Sequence, residues 1–504
     1  MKLRVDKKVT SFTMQIKSKG IFWLVLLAAC FSIGKMQAQS GFVFKYSSLN
    51  DEFPTSIVET SDNGFIISAS YGTFPASYQI LLIKLNKFGD TIRSRKIEFA
   101  GGYSYISNMI KLNNGSYLGI GEKIYPDGEI RMWLINFSEE LLLIKDTSYL
   151  SNMKNVSQFY CMSDYFQRVL VFGSGTLPNS GYYHPFILTV NQNLDSLNYV
   201  CYNPPQCSQH VYSLIEKPDS SGYLMMIFGK YIQQTYSFSQ ILSMDNSFNI
   251  FEVDSIPRDL NLYLDSKYIN KNRLLITGKQ TDNSPTRTDH LAILNLDSTF
   301  QVENEYYLGP EDTISYPAAY KNLDFVNPNE IFYGGTVNFN IGTIFSNMPS
   351  SILLGKFDST LNLYWEKSFG GDQYYIVYTL TALEDGGCII GASSFNYNTQ
   401  TQERDIYVIK VDSNGLITSV DNKNTESRKN ALIFPNPGNE ILNVQLKCQT
   451  AEIVLYDVTG NKILHKSIGH GYNSIDVSNL LPGLYLYRIT DSNANVQQDK
   501  WIKQ

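Results

Sequence analysis

The sequence predicts an all-β protein, a seven-bladed β-propeller followed by a small Ig-like β-sandwich. Three observations carry that expectation. An apolar run closing on a polar residue recurs seven times, Asn-Gly and Asp-Gly turns separate strand-length segments, and the repeating region shows no convincing helical period.

The recurring run reads Ile80-Leu81-Leu82-Ile83-Lys84-Leu85-Asn86 in the first unit and Tyr407-Val408-Ile409-Lys410-Val411-Asp412 in the seventh. Its closing polar residues fall at 86, 138, 191, 245, 297, 358 and 412, so the spacings are 52, 53, 54, 52, 61 and 54. Upstream of each run a turn leads into a short apolar stretch that reaches a small residue. Examples are Asp62-Asn63-Gly64 before 65–69 and Asp385-Gly386-Gly387 before 388–391. Asn-Gly and Asp-Gly supply the positive φ of a tight hairpin. Another strand-like segment precedes each turn, as at 56–60 and 379–383, and a fourth follows the run, as at 91–97 and 363–369. Four antiparallel strands in about 54 residues describe a propeller blade, whereas stacked sandwich domains need units nearer ~100 residues. Small residues ending the second strand would let blades approach near the axis. Residues 42–46 are spaced like a fourth strand and are expected to complete the last blade, closing the ring without an open edge.

The 504 residues include 35 Tyr and 28 Phe, too long for one ordinary domain and too aromatic for intrinsic disorder. Lys2, Arg4, Lys7, Lys8, Lys17 and Lys19 precede an apolar run at 21–34 and a small-residue exit, the layout of a secretory signal cut between Ala38 and Gln39. That run is short of the ~20 residues that span a bilayer, so no transmembrane helix is expected after signal removal. Beyond residue 38 the chain carries 34 basic and 46 acidic residues, which argues against a nucleic-acid partner. Of the five cysteines left, Cys161 and Cys388 lie in apolar runs and read as buried thiols. Cys201 and Cys207 flank Asn203-Pro204-Pro205 and are placed to close a small disulfide loop.

Chemistry is sparse. His184, His210 and His290 fall in different repeats, and Cys207 with His210 is too little for a metal site. No nucleophile elbow, zinc-protease, phosphate-loop or dinucleotide fingerprint is present, so no catalytic, metal or cofactor residue is assigned. Asp62, Asp127 and Asp385 read as turn residues. Asp51-Glu52 and Glu139-Glu140 are adjacent carboxylates, which on a strand face opposite sides. Tyr103-Ser104-Tyr105, Tyr182-Tyr183 and Tyr374-Tyr375 suit contact loops. The reading is a non-catalytic binding module for an extracellular glycan or protein; the alternative is an extracellular hydrolase or lyase acting on polysaccharide or peptide.

Two stretches resemble known families. Trp365-Glu366-Lys367-Ser368-Phe369-Gly370-Gly371 and Lys410-Val411-Asp412-Ser413-Asn414-Gly415 are similar to the tandem propeller repeats of secreted Bacteroidetes proteins, with the second to sixth units degenerate. That resemblance implies fold rather than activity. After a polar linker at 421–429, the last 75 residues carry Pro435-Asn436-Pro437, then Leu455-Tyr456-Asp457-Val458-Thr459-Gly460. Leu480-Leu481-Pro482-Gly483-Leu484-Tyr485 and Trp501-Ile502-Lys503 follow. This ordered set resembles the C-terminal sorting domain of type IX (Por) secretion substrates. It implies recognition by the type IX translocon, removal by its sorting peptidase, and a protein released or held at the outer-membrane surface. Gly460 and Gly483 are expected to serve turns. The domains are then a signal at 1–38, a propeller at 39–420, the linker, and a sorting domain at 430–504.

Overall fold

The computed structural model describes residues 41–74, 77–150, 156–203, 206–231, 237–282, 287–399, 401–417, 431–434, 438–457, 460–492 and 496–503. The signal segment with Ala38 and Gln39, the linker, and Pro435-Asn436-Pro437 lie outside them. The chain divides into two units, Met1–Ser419 and Val420–Gln504. Both are all-β: among the described residues the helical content is one 3₁₀ turn, Pro257–Asp259.

In the first unit the strands form seven separate antiparallel sheets. Six use consecutive strands, within 51–97, 103–150, 156–201, 207–255, 261–308 and 315–370. The seventh joins Tyr374–Ala382, Cys388–Phe395 and Asp405–Val411 to the N-terminal strand Phe42–Tyr46. Phe42 lies opposite Lys410 and Tyr46 opposite Ile406, so the closing strand expected from the sequence is in place.

First strands contact one another in chain order, and the first strand of the seventh sheet contacts Asp51–Glu59 of the first. Each sheet therefore runs outward from a common axis. Second strands such as Phe65–Gly72 are wholly buried, whereas the fourth strand Thr91–Ile97 is mostly exposed. The core is a series of apolar layers between sheets; Phe65, Ile67 and Leu81 of the first meet Ile389, Ile406 and Val408 of the seventh. Closure does not remove every edge, as had been expected. Among the described residues the fourth strands are unpaired on their outer side, and Arg93, Arg95 and Lys96 charge one such edge. The small residue of the second strand sits inside it rather than at its end. A Cβ on Gly391, within Cys388–Phe395, would stand 3.0 Å from Ile57 Cδ1 of the neighbouring sheet.

The seven polar positions that set the period are seven copies of one turn. The amide of Asn86 donates to Asp90 O, and Ser138, Asn191, Asp245, Asp297, Asp358 and Asp412 do the same to the carbonyl four residues on. Each side chain accepts the amide of that fourth residue in return. The residue three positions on has positive φ: Gly89, Leu141, Leu194, Phe248, Phe300, Leu361 and Gly415.

The lysine before that position also has a structural reason. Lys84 Nζ reaches Asp62 in its own sheet's first turn at 3.3 Å, and Glu139 and Glu140 in the next sheet's turn at 3.1 and 3.5 Å. Lys356 and Lys410 hold Glu330 at 2.7 Å and Asp385 at 2.6 Å. Glu139 and Glu140 thus converge on one cation instead of facing apart, because they occupy a turn and not a strand.

The second unit has strands Ala431–Phe434, Ile441–Tyr456, Lys462–Asp476, Gly483–Asp491 and Val496–Lys503, all linked in one hydrogen-bonded set. Strand Ile441–Tyr456 is continuous, with a register shift between Leu446 and Thr450. Residues from both halves, such as Val444 and Ile453, share a core with Tyr485 and Trp501. Asp457 repeats the turn of the first unit: its side chain accepts the Asn461 amide, and Gly460 has φ +87°. Gly483 instead opens a strand opposite Lys503. Lys503 is buried, donating to Asn439 O at 2.9 Å; Tyr485 donates to Leu481 O at 2.8 Å; Tyr456 is half-buried and Pro482 exposed.

Candidate binding site

In the first unit, the turns joining first to second and third to fourth strands share one end of the sheets. The longer second-to-third loops and the sheet-to-sheet connections share the other. The inner strands and the break in the sixth carry aromatic residues: Phe53, Tyr105, Tyr160, Tyr212, Tyr263, Tyr320 and Tyr378. Phe53 stacks on Tyr378 at 5.2 Å, Tyr320 on Tyr378 at 6.1 Å, and Tyr212 meets Tyr263 edge-on at 6.1 Å. Burial raises the hydroxyl pKa of Tyr105, Tyr160 and Tyr320. Beside Tyr105, Glu122 is 1% exposed and its Oε1 has no hydrogen-bond partner among the described residues. Burial pushes its carboxyl up to about 8, against a hydrogen bond from Tyr105 that works the other way.

The sixth sheet breaks the repeat at the loop-rich end. Its inner strand is split into Ser315–Pro317 and Leu323–Asp324, and its second and third strands are joined by a long loop at 338–350. Between this loop and the inner strands lies a pocket of about 120 Å³, walled by Tyr263, Tyr316, Phe339, Ile344, Ile376 and Tyr378. Tyr316 stacks on Phe339 with centroids 4.6 Å apart. The loop is tied down where the Asn340 amide donates to Tyr374 Oη at 2.9 Å. Leu262, Tyr263 and Asn338 hold left-handed φ of 52°, 51° and 61°, a conformation that costs non-glycine residues about 1–3 kcal/mol each.

Arg404 braces one wall. Its Nε and Nη2 donate to Asp51 Oδ1 and Oδ2 at 2.9 and 2.6 Å, and its Nη1 donates to Tyr378 Oη at 2.6 Å. The guanidinium also lies 4.5 Å from the Phe53 ring centre. Another edge carries Asp289, which accepts from Thr281 at 2.7 Å, Arg287 at 2.8 Å and Lys279 at 3.2 Å. Burial pulls Lys279 below its ordinary value, although Asp289 works the other way. Asp289 stays below the usual carboxylate range: burial opposes this, but Arg287, Thr281 and Lys279 outweigh it. The pocket lining contains no carboxylate, and Asp51 and Asp289 are both fully engaged by cations and hydroxyls.

Residues singled out from sequence are scattered. Tyr105 lies on an inner strand and Tyr103 is exposed, but Tyr374 and Tyr375 are core residues at 1% and 3% exposure. Tyr183 packs on His210 at 4.4 Å, away from the pocket lining. Cys161 and Cys388 are buried free thiols. Cys201 and Cys207 are free as well: Cys201 ends the outer strand of the third sheet opposite Phe186, while Cys207 starts the inner strand of the fourth opposite Tyr231. Among the described residues no three His, Cys, Asp or Glu side chains group as metal ligands, and no helix is long and apolar enough to cross a membrane. Phe339, Ile344 and Arg404 were not singled out. The signal that marks the loop is the one long spacing, 61 residues between Asp297 and Asp358.

Solved structures similar to the chain include the β-propeller domain of the Trilobed protease from Pyrococcus furiosus, 11% identical over 71% of this chain and 95% of that one, with a TM-score of 0.40. A polysaccharide lyase, an ulvan lyase, is 8% identical over 76% and 99%, at 0.47. A protein of unknown function from Dyadobacter fermentans is 9% identical over 74% and 98%, at 0.45. No curated protein matches the chain. Residues 432–504 match the family described as the secretion system C-terminal sorting domain.

Proposed function

We propose that the chain is an exported β-propeller whose seven sheets are seven blades, and that it binds an extracellular glycan or protein at the loop-rich mouth without catalysis. The signal at 1–38 takes it out of the cytoplasm and is cut between Ala38 and Gln39. The tail, an Ig-like sandwich, is then read by the type IX translocon and removed by its sorting peptidase. The product is secreted or held at the cell surface, as in the Bacteroidetes repeat proteins that the sequence resembles. The observation that carries the binding reading is an aromatic pocket built where the repeat departs from its own pattern. A glycosidase would need two carboxylates ~5–9 Å apart at such a mouth, and none lines this one.

Two measurements test this. In a host with type IX machinery, a chain lacking 432–504 is expected to stay in the periplasm while the full chain appears outside. Glycan and protein arrays probed with the exported chain are expected to show binding without product, reduced in Phe339→Ala. Product release from a bound glycan or peptide would favour the hydrolase or lyase.

A further inference from the structure

The mouth pocket can be read for the chemistry of its occupant, an inference that rests on the binding reading above. Its volume, about 120 Å³, is close to that of a cavity of about 150 Å³ that holds benzene, so it admits one ring or one branched aliphatic group. Three of its hydroxyls already hold a partner each. Thr336 Oγ1 accepts the Val377 amide at 2.9 Å, Tyr378 Oη accepts from Arg404 at 2.6 Å, and the Tyr316 hydroxyl lies against Arg287. A sugar ring would bring several hydroxyls against walls that are mostly aromatic and aliphatic, with fewer polar partners than it has hydroxyls, which is costly. An apolar side chain would lose nothing on entry and would gain aromatic contact with Tyr316, Phe339 and Tyr378.

The rim adds charge. Arg287 is half-exposed at 48% and, with the buried Lys279, holds Asp289; Asp282 and Asp312 flank Thr288 beside it. We infer that the mouth receives the apolar side chain of a protein ligand, with an acidic group beside that side chain placed at Arg287. Area alone would not choose this occupant; the match of an aromatic box to a cationic edge does.

The test uses the full exported chain and N-acetyl-4-fluoro-L-phenylalanine, its amide, and a panel of free monosaccharides. Fluorine line broadening is expected for both amino-acid probes, the acid binding roughly threefold more tightly than the amide because of the exposed Arg287. Ala319→Leu fills the pocket and is expected to weaken both by roughly tenfold or more. Ile344→Phe fills it from the opposite wall and serves if Ala319→Leu does not fold. Arg287→Glu should remove the preference for the acid and leave the amide unchanged. Probe binding that ignores both filling variants overturns the inference. So do monosaccharides that bind in a filling-sensitive way while the fluorinated probes stay silent, although the mouth then remains the binding site. An array partner whose binding ignores Ala319→Leu, Ile344→Phe and Phe339→Ala sinks both readings.

Discussion

Leu141 holds a φ of +58° while its side chain is 1% exposed, so two effects oppose each other at one residue. The left-handed backbone costs about 1–2 kcal/mol, and truncating a buried leucine costs about 3–5 kcal/mol. Burial wins, and Leu141→Gly is expected to destabilise by about 2 kcal/mol in urea unfolding. The first and last turns carry glycine at the same position for a steric reason. A Cβ on Gly89 would stand 2.5 Å from the Phe42 ring, and one on Gly415 would stand 3.0 Å from Trp365. A neighbouring aromatic fills the space that Leu141 fills for itself. Glu122 gives a pH signature. Its carboxyl keeps a proton up to about 8 in the folded chain and loses it near 4.5 when unfolded. Between those values the native state binds more protons, so stability falls as pH rises, by up to about 1.4 kcal/mol per pH unit. Glu52, pushed up to about 7 chiefly by burial, adds in the same direction. Melting temperatures between pH 5 and 8.5 should fall less steeply in Glu122→Gln; an unchanged slope would contradict the burial of that carboxyl.

At the scale of elements, the period was legible because each turn needs a side chain that accepts backbone amides, and only a few residue types do so at that place. Lysine stands two residues before that turn in three units, as Lys84, Lys356 and Lys410, and its purpose is not legible in sequence, since Asp62 and Glu139 lie in other turns, the latter in another sheet. In the second to fifth units Asn136, Thr189, Ser243 and Asn295 stand at its position, and Asn136 Oδ1, Thr189 Oγ1 and Asn295 Oδ1 are buried without hydrogen-bond partners among the described residues. Lys84→Met should therefore cost about 2 kcal/mol, the lower part of the range for charged hydrogen bonds, because Asp62 and Glu140 are half open to solvent. A cost below the error of chemical denaturation would show that the lysine is only a surface feature. The tail shows the opposite limit. The register shift between Leu446 and Thr450 lies inside one strand, and nothing in the sequence marks it.

For the whole molecule, the order of the sheets and the partnership of the two chain ends followed from counting strands per repeat. The pocket did not. It draws Tyr263 from the fifth sheet, Tyr316 and Phe339 from the sixth and Tyr378 from the seventh. Those residues are joined only by the packing of the fifth, sixth and seventh sheets on one another, and the long sixth spacing told of an insertion without saying where it folds. Arg404 and Asp51, 353 positions apart, seal the junction of first and last sheets by the same route. Closure is the claim on which the ring of the first unit rests, and a cross-link reads it most directly. Lys45 and Tyr407 stand opposite each other across the closing pair of strands. In Lys45→Cys with Tyr407→Cys, mild oxidation should yield an intramolecular disulfide in the monomer, absent from either single variant and seen as faster migration in denaturing gels. A double variant that stays open, or that links only between molecules, would mean that the N-terminal strand does not complete the last sheet.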